Sequence, residues 1–302
     1  MILCCGEALI DMLPRSSTDG EDAFAPLSGG AVFNTAIALG RLGAPAGYFG
    51  GLSTDLFGTQ LASALQASQV DYSLCPRSDR PTTLAFVTLV DGHAKYAFYD
   101  ENTAGRMTTP DECPDDLSSV EALFFGGISL VSEPAADSYA ALCANSGSRV
   151  VMIDPNIRPG FITDETAYRT RLTAMLDRAD IIKLSDEDLD WLGTSETDLL
   201  KRGAKVVLIT RGAEGVSLYT ASGQTDIAAQ KAKVCDTVGA GDTFNAGFLA
   251  GLHRDNLLTR DALAKASHDT LRSAVTLGTQ AAAVTVSRAG ANPPWEHELC
   301  AH

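Results

Sequence analysis

Asp236-Thr237-Val238-Gly239-Ala240-Gly241-Asp242 runs directly into an amphipathic segment, residues 243–252. Apolar side chains in that segment, beginning with Phe244 and Phe248, recur with the spacing of one buried helix face. The pattern therefore predicts a helix that begins near Asp242, directly after a turn built from small residues.

Gly239, Ala240 and Gly241 precede the first turn of this predicted helix. Small residues let backbone N–H groups approach a ligand closely, and the helix dipole adds positive potential. We expect the three residues to form an anion hole for phosphate oxygens. Asp242 would lie at its rim and accept a proton from a hydroxyl that attacks a phosphoryl group. The alternative is an ordinary glycine turn with an aspartate N-cap.

The nine residues 236–244 resemble the C-terminal signature of the ribokinase-like (PfkB) sugar kinases, and the chain resembles that family along essentially its whole length. The sequence contains no Walker A pattern. The resemblance implies an α/β fold, a three-layer α/β/α sandwich with a mostly parallel central sheet and a small β-sheet lid. It also implies a single kinase domain over residues 1–302, with the lid inserted from about 12–28 and 81–104.

The composition limits the functional classes. A chain of 302 residues with 45% hydrophobic content can bury a large core. A net charge of −15 opposes binding to nucleic acid or to an anionic membrane. Seven scattered cysteines without a C-x-x-C pair, and an N-terminus without the basic region of a signal peptide, predict a reduced, cytoplasmic protein.

From residue 120 the hydrophobic pattern alternates between strands and helices. Strands are expected near 121–126, 149–154, 180–184 and 205–210, and helices near 133–146, 165–178 and 187–202. This alternation is typical of right-handed crossovers in a mostly parallel sheet. A Rossmann dehydrogenase is excluded, because no Gly-x-Gly-x-x-Gly follows the first strand.

The N-terminal part contains the predicted sugar site. Residues 2–10 are interpreted as one buried strand that delivers Asp11 to the sheet edge, where open α/β sheets bind ligands. The motif Gly29-Gly30-Ala31-Val32-Phe33-Asn34 leads into a helix, and its double glycine permits close approach of the backbone to a ligand. The resemblance implies that Asp11, Gly29, Gly30 and Asn34 bind sugar hydroxyls. A surface salt bridge and an ordinary turn are the alternatives.

The lid is predicted from two alternating segments, residues 82–90 and 94–99, which flank the hairpin signal Asp91-Gly92. An antiparallel ribbon does not belong inside a parallel sheet, so we expect it to project and, with residues 12–28, to cover the sugar. Tyr99 is a predicted sugar contact. Because isolated ribbons are marginally stable, a homodimer through the lid is expected.

Three further segments resemble nucleotide-side motifs of the family. Arg158, in Asp154-Pro155-Asn156-Ile157-Arg158, is a cation suited to phosphate oxygens, and a structural Arg–Asp pair is its alternative. The resemblance implies ATP contacts in two of these segments and Mg²⁺ ligands, through water, at the start of a helix. The ATP contacts in these segments are Ser185, Thr210, Gly212 and Gly215, with Gly241 of the anion hole as a fifth, and the Mg²⁺ candidates are Asp188 and Glu187.

The closing loop, residues 287–294, resembles the family's K⁺-binding loop. Oxygen atoms for such an ion would come from this loop and from the stretch after Asp236. The candidate residues are Asp236, Val238, Thr285, Arg288 and Gly290. K⁺ binding stays open, because the ligands would be mostly backbone carbonyls.

The resemblance implies ATP-dependent phosphorylation of the primary hydroxyl of a sugar. Residues 29–34, 51–55 and 288–294 look most like bacterial fructokinases, so fructose, giving fructose 6-phosphate, is the first choice. A 2-keto-3-deoxygluconate kinase is the second; Asp100 would repel that acid. Ribose and nucleosides stay open. A non-catalytic sugar sensor is the alternative from another class, although such a protein would not need Asp242.

Overall fold

A computed structural model describes residues 1–90 and 93–299. The strands are β1 (Ile2–Cys5), β2 (Leu9–Ser16), β3 (Asp22–Gly29), β4 (Ala46–Phe49), β5 (Leu52–Ser53), β6 (Arg77–Ser78), β7 (Leu84–Val90), β8 (His93–Tyr99), β9 (Ala122–Gly126), β10 (Val150–Asp154), β11 (Ile181–Ser185), β12 (Val206–Thr210), β13 (Val216–Thr220) and β14 (Gly223–Ile227). The helices are α1 (Ala31–Arg41), α2 (Leu56–Ala67), α3 (Ala135–Ala144), α4 (Glu165–Arg178), α5 (Asp186–Leu192), α6 (Glu196–Lys201), α7 (Ala240–Arg254), α8 (Arg260–Lys265), α9 (His268–Val286) and α10 (Glu296–Leu299).

The large sheet within the described residues has the order β14-β13-β12-β11-β10-β9-β1-β4. Its strands from β12 to β4 pair in parallel, whereas the pairs β12–β13 and β13–β14 at the other end are antiparallel. Separate hydrophobic clusters cover the two faces: α1, α7 and α9 pack on one, and α3 and α4 pack on the other. The predicted three-layer α/β/α sandwich with a mostly parallel sheet is therefore confirmed.

Strand and helix positions after residue 120 agree with the prediction to within about two residues, except for the helix expected over 187–202. That segment forms two helices, α5 and α6, in the structure. Gly193 adopts a left-handed conformation, with φ 65°, and ends α5. Ser195 then accepts a hydrogen bond from the Asp198 N–H and caps α6. Two strong local end signals thus override the continuous helical pattern.

The prediction of one strand over residues 2–10 is wrong. The chain leaves the large sheet after Cys5 and enters a second sheet at Leu9. Gly6 lies at this break, and a β-carbon there would be 2.5 Å from Val32 Cγ2 and 2.7 Å from Ser129 Oγ. Asp11 therefore belongs to the second sheet and does not end a core strand.

The second sheet, called the small sheet here, has the order β3-β2-β7-β8. It contains most of the segments predicted to form the lid, and residues 12–28 belong to its two long strands β2 and β3 and the turn between them. Strands β7 and β8 pair in antiparallel fashion as expected. The predicted Asp91-Gly92 turn lies outside the described residues. The function of the small sheet as a lid stays a prediction.

The cysteines that the structure describes, up to Cys235, all carry free thiols, and four of the six are buried. Burial raises the pKa of the Cys75 thiol to about 12, so this side chain stays protonated and packs as a small core residue. Over residues 1–90 and 93–299, we find no helix with both the length and the apolar character needed to cross a bilayer.

Candidate active site

The N-terminus of α7 begins at a glycine turn next to the closing loop. Its N-cap is Gly239, which has φ 76° and therefore a conformation that favours glycine. A β-carbon there would be 2.7 Å from Ala291 Cβ, so the closing loop also requires glycine at this position. At Gly241 and Asp242 the backbone N–H groups have no intrahelical partner, because they belong to the first turn. These donors and the helix dipole suit the anion hole that the sequence predicts, which stays a prediction.

Asp242 lies on this first turn and is held by α1. The Asn34 amide Nδ2 donates to Asp242 Oδ2 at 2.9 Å. The Thr35 hydroxyl lies 3.3 Å from the Asp242 carbonyl oxygen, to which it donates. Asn34 was predicted as a sugar contact, but in this structure it also orients the candidate base. The first turns of α1 and α7 are therefore joined directly at Asp242.

The protonation of Asp242 is set by its surroundings. Burial raises its pKa to about 7, and the Asn34 hydrogen bond opposes that rise. The Asp154 charge also raises the pKa of Asp242, whereas the Lys183 charge lowers it. A carboxylate with a pKa near neutrality is suited to accept a proton at physiological pH.

Lys183, Asp154 and Asn245 form a buried polar cluster beneath the same helix turn. Lys183 Nζ lies 2.9 Å from Asp154 Oδ2, and Asn245 Nδ2 donates to the same oxygen at 2.7 Å. A β-carbon on Gly241 would be 3.4 Å from Lys183 Nζ. The ammonium group therefore lies immediately behind the anion site.

A cavity of about 170 Å³ opens beside α1 and the small sheet. Asp11 and Gly30, two of the predicted sugar contacts, line it together with Arg158, which was predicted for phosphate oxygens, whereas Gly29 and Asn34 are not among its lining residues. The Asp11 carboxylate has no hydrogen-bond or ion-pair partner among residues 1–90 and 93–299, and burial raises its pKa to about 6. An unpaired carboxylate in a cavity accepts hydrogen bonds from ligand hydroxyls.

The two glycines of the motif at 29–34 make room for oxygen atoms of the chain itself. A β-carbon on Gly29 would be 2.2 Å from Asp11 Oδ2. A β-carbon on Gly30 would be 2.7 Å from the Glu7 carbonyl oxygen. Glycine is therefore required at both positions by contacts within the chain. A close approach of a ligand to this backbone, as predicted from the sequence, is not needed to account for the two glycines.

Tyr99 does not face the cavity, so its prediction as a sugar contact is corrected. Successive strand residues point to opposite faces, and it is Phe98 that lines the cavity with Asp11. The Tyr99 residue is 62% exposed, and its ring packs edge-on against Phe86, with the ring centroids 5.5 Å apart. Phe98 instead contacts Phe161, with ring centroids 4.3 Å apart.

Arg158 is exposed at the cavity and forms no ion pair within the part of the chain that the structure describes. Its side chain donates to the Ile157 carbonyl at 3.0 Å. The structural Arg–Asp pair considered as an alternative is therefore not found there. A guanidinium group without a carboxylate partner remains available to an anionic ligand.

The predicted ATP contacts lie at neighbouring strand ends. Ser185 and Thr210 are paired residues at the carboxyl ends of β11 and β12. Gly212 and Gly215 follow in a short turn, both with positive φ, 51° and 105°. A β-carbon on Gly215 would be 2.2 Å from the Ile227 carbonyl oxygen, so glycine is required for the turn itself.

The prediction of Asp188 as a Mg²⁺ ligand does not fit the structure. Asp188 is 4% exposed, and its carboxylate accepts hydrogen bonds from the Ile157 N–H, the Ser185 N–H and the Ser185 hydroxyl. It therefore caps α5 and holds the loop that carries Arg158. Glu187 is exposed on α5. Among the residues described, no group of three or more His, Cys, Asp and Glu side chains is arranged to hold a metal ion.

The predicted K⁺ segments are brought together. Asp236 Oδ2 accepts from the Gly290 N–H at 2.9 Å, and Asp236 Oδ1 accepts from the Val238 N–H at 3.0 Å. Thr285 is buried and donates to Thr243. The Arg288 guanidinium forms an ion pair with Glu298, so its charge is compensated. The structure thus contains the contact between the Asp236 stretch and the closing loop. Binding of K⁺ by backbone carbonyl groups there stays a prediction.

The sequence interpretation missed several residues of the site: Glu7, Lys183 and the cavity-lining Phe98, Asn156 and Phe161. Asn156 was part of the quoted motif and has φ 44°, which is uncommon outside glycine. A lysine in the middle of an apolar strand was the one available signal for Lys183, since a buried charge needs a partner.

Helix N–H groups without an intrahelical partner, beside a near-neutral carboxylate and a small cavity lined by Glu7, Asp11 and Arg158, suit phosphoryl transfer to a hydroxyl group, which is kinase chemistry. The chain belongs to the pfkB family of carbohydrate kinases, which it matches over residues 1–298.

Similar proteins are found in bacteria and plants. A fructokinase of Rhizobium leguminosarum bv. trifolii is 53% identical over 280 residues, covering 90% of this chain and 86% of the relative. A probable chloroplastic fructokinase of Arabidopsis thaliana is 32% identical over 309 residues, covering 97% and 79% of the two chains. The crystal structure of a Xylella fastidiosa fructokinase with bound ATP superposes with a TM-score of 0.91 at 28% identity, covering 99% and 97%.

Proposed function

We propose that this protein is an ATP-dependent fructokinase that converts fructose to fructose 6-phosphate. The observation that carries the proposal is the hydrogen bond from Asn34 to Asp242. It joins α1, whose first turn lines the cavity, to the first turn of α7, which presents the anion site. Sugar hydroxyl, base and phosphate can thereby meet at one point.

In the proposed reaction, Asp242 accepts the proton of the primary hydroxyl as that oxygen attacks the γ-phosphorus of ATP. The new O–P bond forms while the bond from the γ-phosphorus to the bridging β–γ oxygen breaks, and ADP leaves. The first-turn N–H groups of α7 and the Arg158 guanidinium stabilise negative charge on the transferring group. Asp11 and Asn34 hold the sugar, so catalysis rests mainly on positioning and electrostatics.

Fructose is favoured over 2-keto-3-deoxygluconate by the charges that line the cavity, and not by repulsion of the acid by Asp100. Asp100 pairs with Arg106 at 2.9 Å and accepts from the Ser132 hydroxyl, so its charge is compensated outside the cavity. The carboxylates that line the cavity are Glu7 and Asp11. In this lining the two carboxylates outnumber the single guanidinium of Arg158, so a neutral polyol is favoured over an acid, and the identity to the Rhizobium relative supports the same substrate class.

ATP would bind with its phosphates at the α7 N-terminus and its remaining parts along Ser185, Thr210 and the Gly212–Gly215 turn. We propose that Mg²⁺ enters with the nucleotide, and no side chain is assigned to it. A K⁺ site at the contact between Asp236 and Gly290 is a further proposal. The cytoplasmic location stays a prediction from the cysteine pattern.

We expect kcat/KM for fructose to fall about tenfold per pH unit below pH 7, because Asp242, with a pKa of about 7, must be deprotonated to act as base. Above that pH the value should level off. Initial rates from pH 5.5 to 9 test this, with ATP binding measured separately to account for titration of the nucleotide phosphate. A flat profile between pH 5.5 and 8 would contradict the assignment of Asp242.

The substrate is tested by coupled ATP turnover with fructose, 2-keto-3-deoxygluconate, ribose and adenosine at equal concentrations. A clear preference for fructose is expected. Preference for the acid would keep the mechanism and overturn the substrate. Sugar binding without ATP consumption would leave the non-catalytic sensor as the better account.

We also propose that two copies associate through the small sheet. Phe24, Phe86 and Tyr99 form a row of edge-on ring contacts on the face opposite the cavity, and Phe24 is 43% exposed. The variant Phe24→Asp should shift the sedimenting species from dimer to monomer, since a charge replaces an apolar contact. Val234→Asp, at an exposed valine outside the small sheet, is the matched control. A wild-type monomer would reject the dimer.

A further inference from the structure

Glu7 lies between β1 and β2, in the short segment that passes beneath the cavity. Its Oε1 accepts from the Ala31 N–H at 2.8 Å, and its Oε2 accepts from the Ser129 N–H at 3.2 Å. Its backbone carbonyl accepts from the Phe33 N–H at 3.2 Å. One residue thus joins the first turn of α1 to the turn that follows β9.

Two glycines, Gly127 and Gly30, leave space for the Glu7 side chain. Gly127 has φ 67°, and a β-carbon there would be 2.2 Å from Glu7 Oε1. Gly30 has φ 106°, and a β-carbon there would be 3.2 Å from Glu7 Cγ as well as close to its carbonyl oxygen. A side chain at either glycine would displace Glu7. The backbone at Gly30 and at Gly127 therefore accommodates the Glu7 carboxylate only because both residues are glycine.

The Glu7 carboxylate has no cationic partner in the ranges 1–90 and 93–299. Burial raises its pKa, and the hydrogen bonds from Ser129 and Ala31 oppose that rise. An anion in such a place is stabilised by the N–H groups and by the N-terminal dipole of α1. Glu7 therefore serves α1 as a substitute for a capping side chain, which Gly30 does not have.

The helix that Glu7 holds also positions the base. Asn34 lies one turn after Ala31 and donates to Asp242, while Thr35 donates to the Asp242 carbonyl. The Glu7 charge is close enough to raise the pKa of Asp242. A displacement of the α1 N-terminus would consequently move the Asn34 amide away from Asp242.

We propose that Glu7 is a positioning residue for phosphoryl transfer, which acts by fixing the first turn of α1 so that Asn34 orients Asp242. This inference rests on the proposed function for its kinetic consequence. It assigns to Glu7 no contact with the reacting atoms.

A double-mutant cycle measures the energetic coupling between Glu7 and Asn34. Glu7→Gln and Asn34→Ala should each lower kcat/KM for fructose by about 10–100-fold, the range for supporting residues of a site. If Glu7 acts through Asn34, the double variant should lose no more than about the larger single effect. Multiplication of the two losses would overturn the proposal. Melting temperatures exclude trivial unfolding.

A second pair of variants tests Glu7 without changing it. Gly127→Ala introduces a β-carbon against Glu7 Oε1, whereas Gly193→Ala introduces one into open space at nearly the same φ, 65°. Both carry similar backbone strain. We expect about a tenfold or greater loss of kcat/KM in Gly127→Ala only. Equal effects of the two variants would contradict the proposal.

Hydrogen exchange gives a readout that needs no turnover. In Glu7→Gln, amides of residues 31–35 and 127–131 should exchange faster, and so should those of residues 240–244 at the start of α7. Faster exchange limited to residues 31–35 and 127–131 would show that Glu7 stabilises only its own contacts. That result would reject the proposal that Glu7 positions Asp242. Absence of fructose turnover by the wild type, with the exchange pattern as expected, would instead reject the proposed substrate alone.

Discussion

Replacing Asp242 by asparagine should lower kcat by about 10²–10⁴-fold, the usual contribution of a general base. The amide cannot take the proton of the attacking hydroxyl, whereas its oxygen can still accept the hydrogen bond from Asn34 that Asp242 accepts at 2.9 Å. We therefore expect the affinity for fructose, measured by calorimetry, to change little. Single-turnover rates with ATP separate the loss of chemistry from any change in binding.

The matched control is Asp190→Asn, at an exposed aspartate of α5. Its turnover should equal that of the wild type. If Asp242→Asn kept near-normal turnover, the base would have to be another group. If it lost fructose binding as strongly as turnover, Asp242 would be a binding residue instead of a base.

The second large effect concerns stability. Lys183→Met should lower the free energy of unfolding by about 3–5 kcal/mol, because it leaves the buried Asp154 without its cationic partner. The two side chains are 7% and 4% exposed. Urea unfolding measures the change. Because the Lys183 charge lowers the pKa of Asp242, the acid limb of the activity profile should also move to higher pH.

Lys201→Met provides the comparison, since Lys201 pairs with Asp198 at side-chain exposures of 71% and 56%. An exposed pair of this kind contributes about 0–1 kcal/mol. The double variant Lys183→Met with Asp154→Asn should recover part of the loss, because both charges are removed together. Losses of equal size in the two lysine variants would show that the buried cluster has no special energetic importance.

The local sequence was sufficient to predict the centre of this molecule. The start of α7 follows from small residues before an amphipathic segment, and the structure has it at Ala240. The parallel strands after residue 120 follow from apolar runs separated by helical patterns. In each case the signal and the structure that it specifies lie within one short stretch of chain.

Errors occurred where a residue's position depends on partners far along the chain. Residues 2–10 look like one apolar strand, and the break at Gly6 is set by Val32 and Ser129. Tyr99 and Phe98 exchange faces with a one-residue change of register, which the alternation alone does not determine. The partners of Glu7 are 24 and 122 residues away, so no local pattern marks it.

Asp188 shows a different kind of error. The resemblance implied a metal ligand there, but Ser185 and Asp188 also have the spacing of a capping box, and the structure contains that box. The local helix signal was therefore the better guide to the contacts that the Asp188 carboxylate makes.

The most direct test of the proposed function is to identify the product by NMR after incubation with ATP, Mg²⁺ and uniformly ¹³C-labelled fructose. We predict one ADP for each sugar phosphate, with phosphorus coupled to C6 of fructose. Phosphorus coupled to C1, or ADP formed without any sugar phosphate, would contradict phosphoryl transfer to the 6-hydroxyl with Asp242 as base.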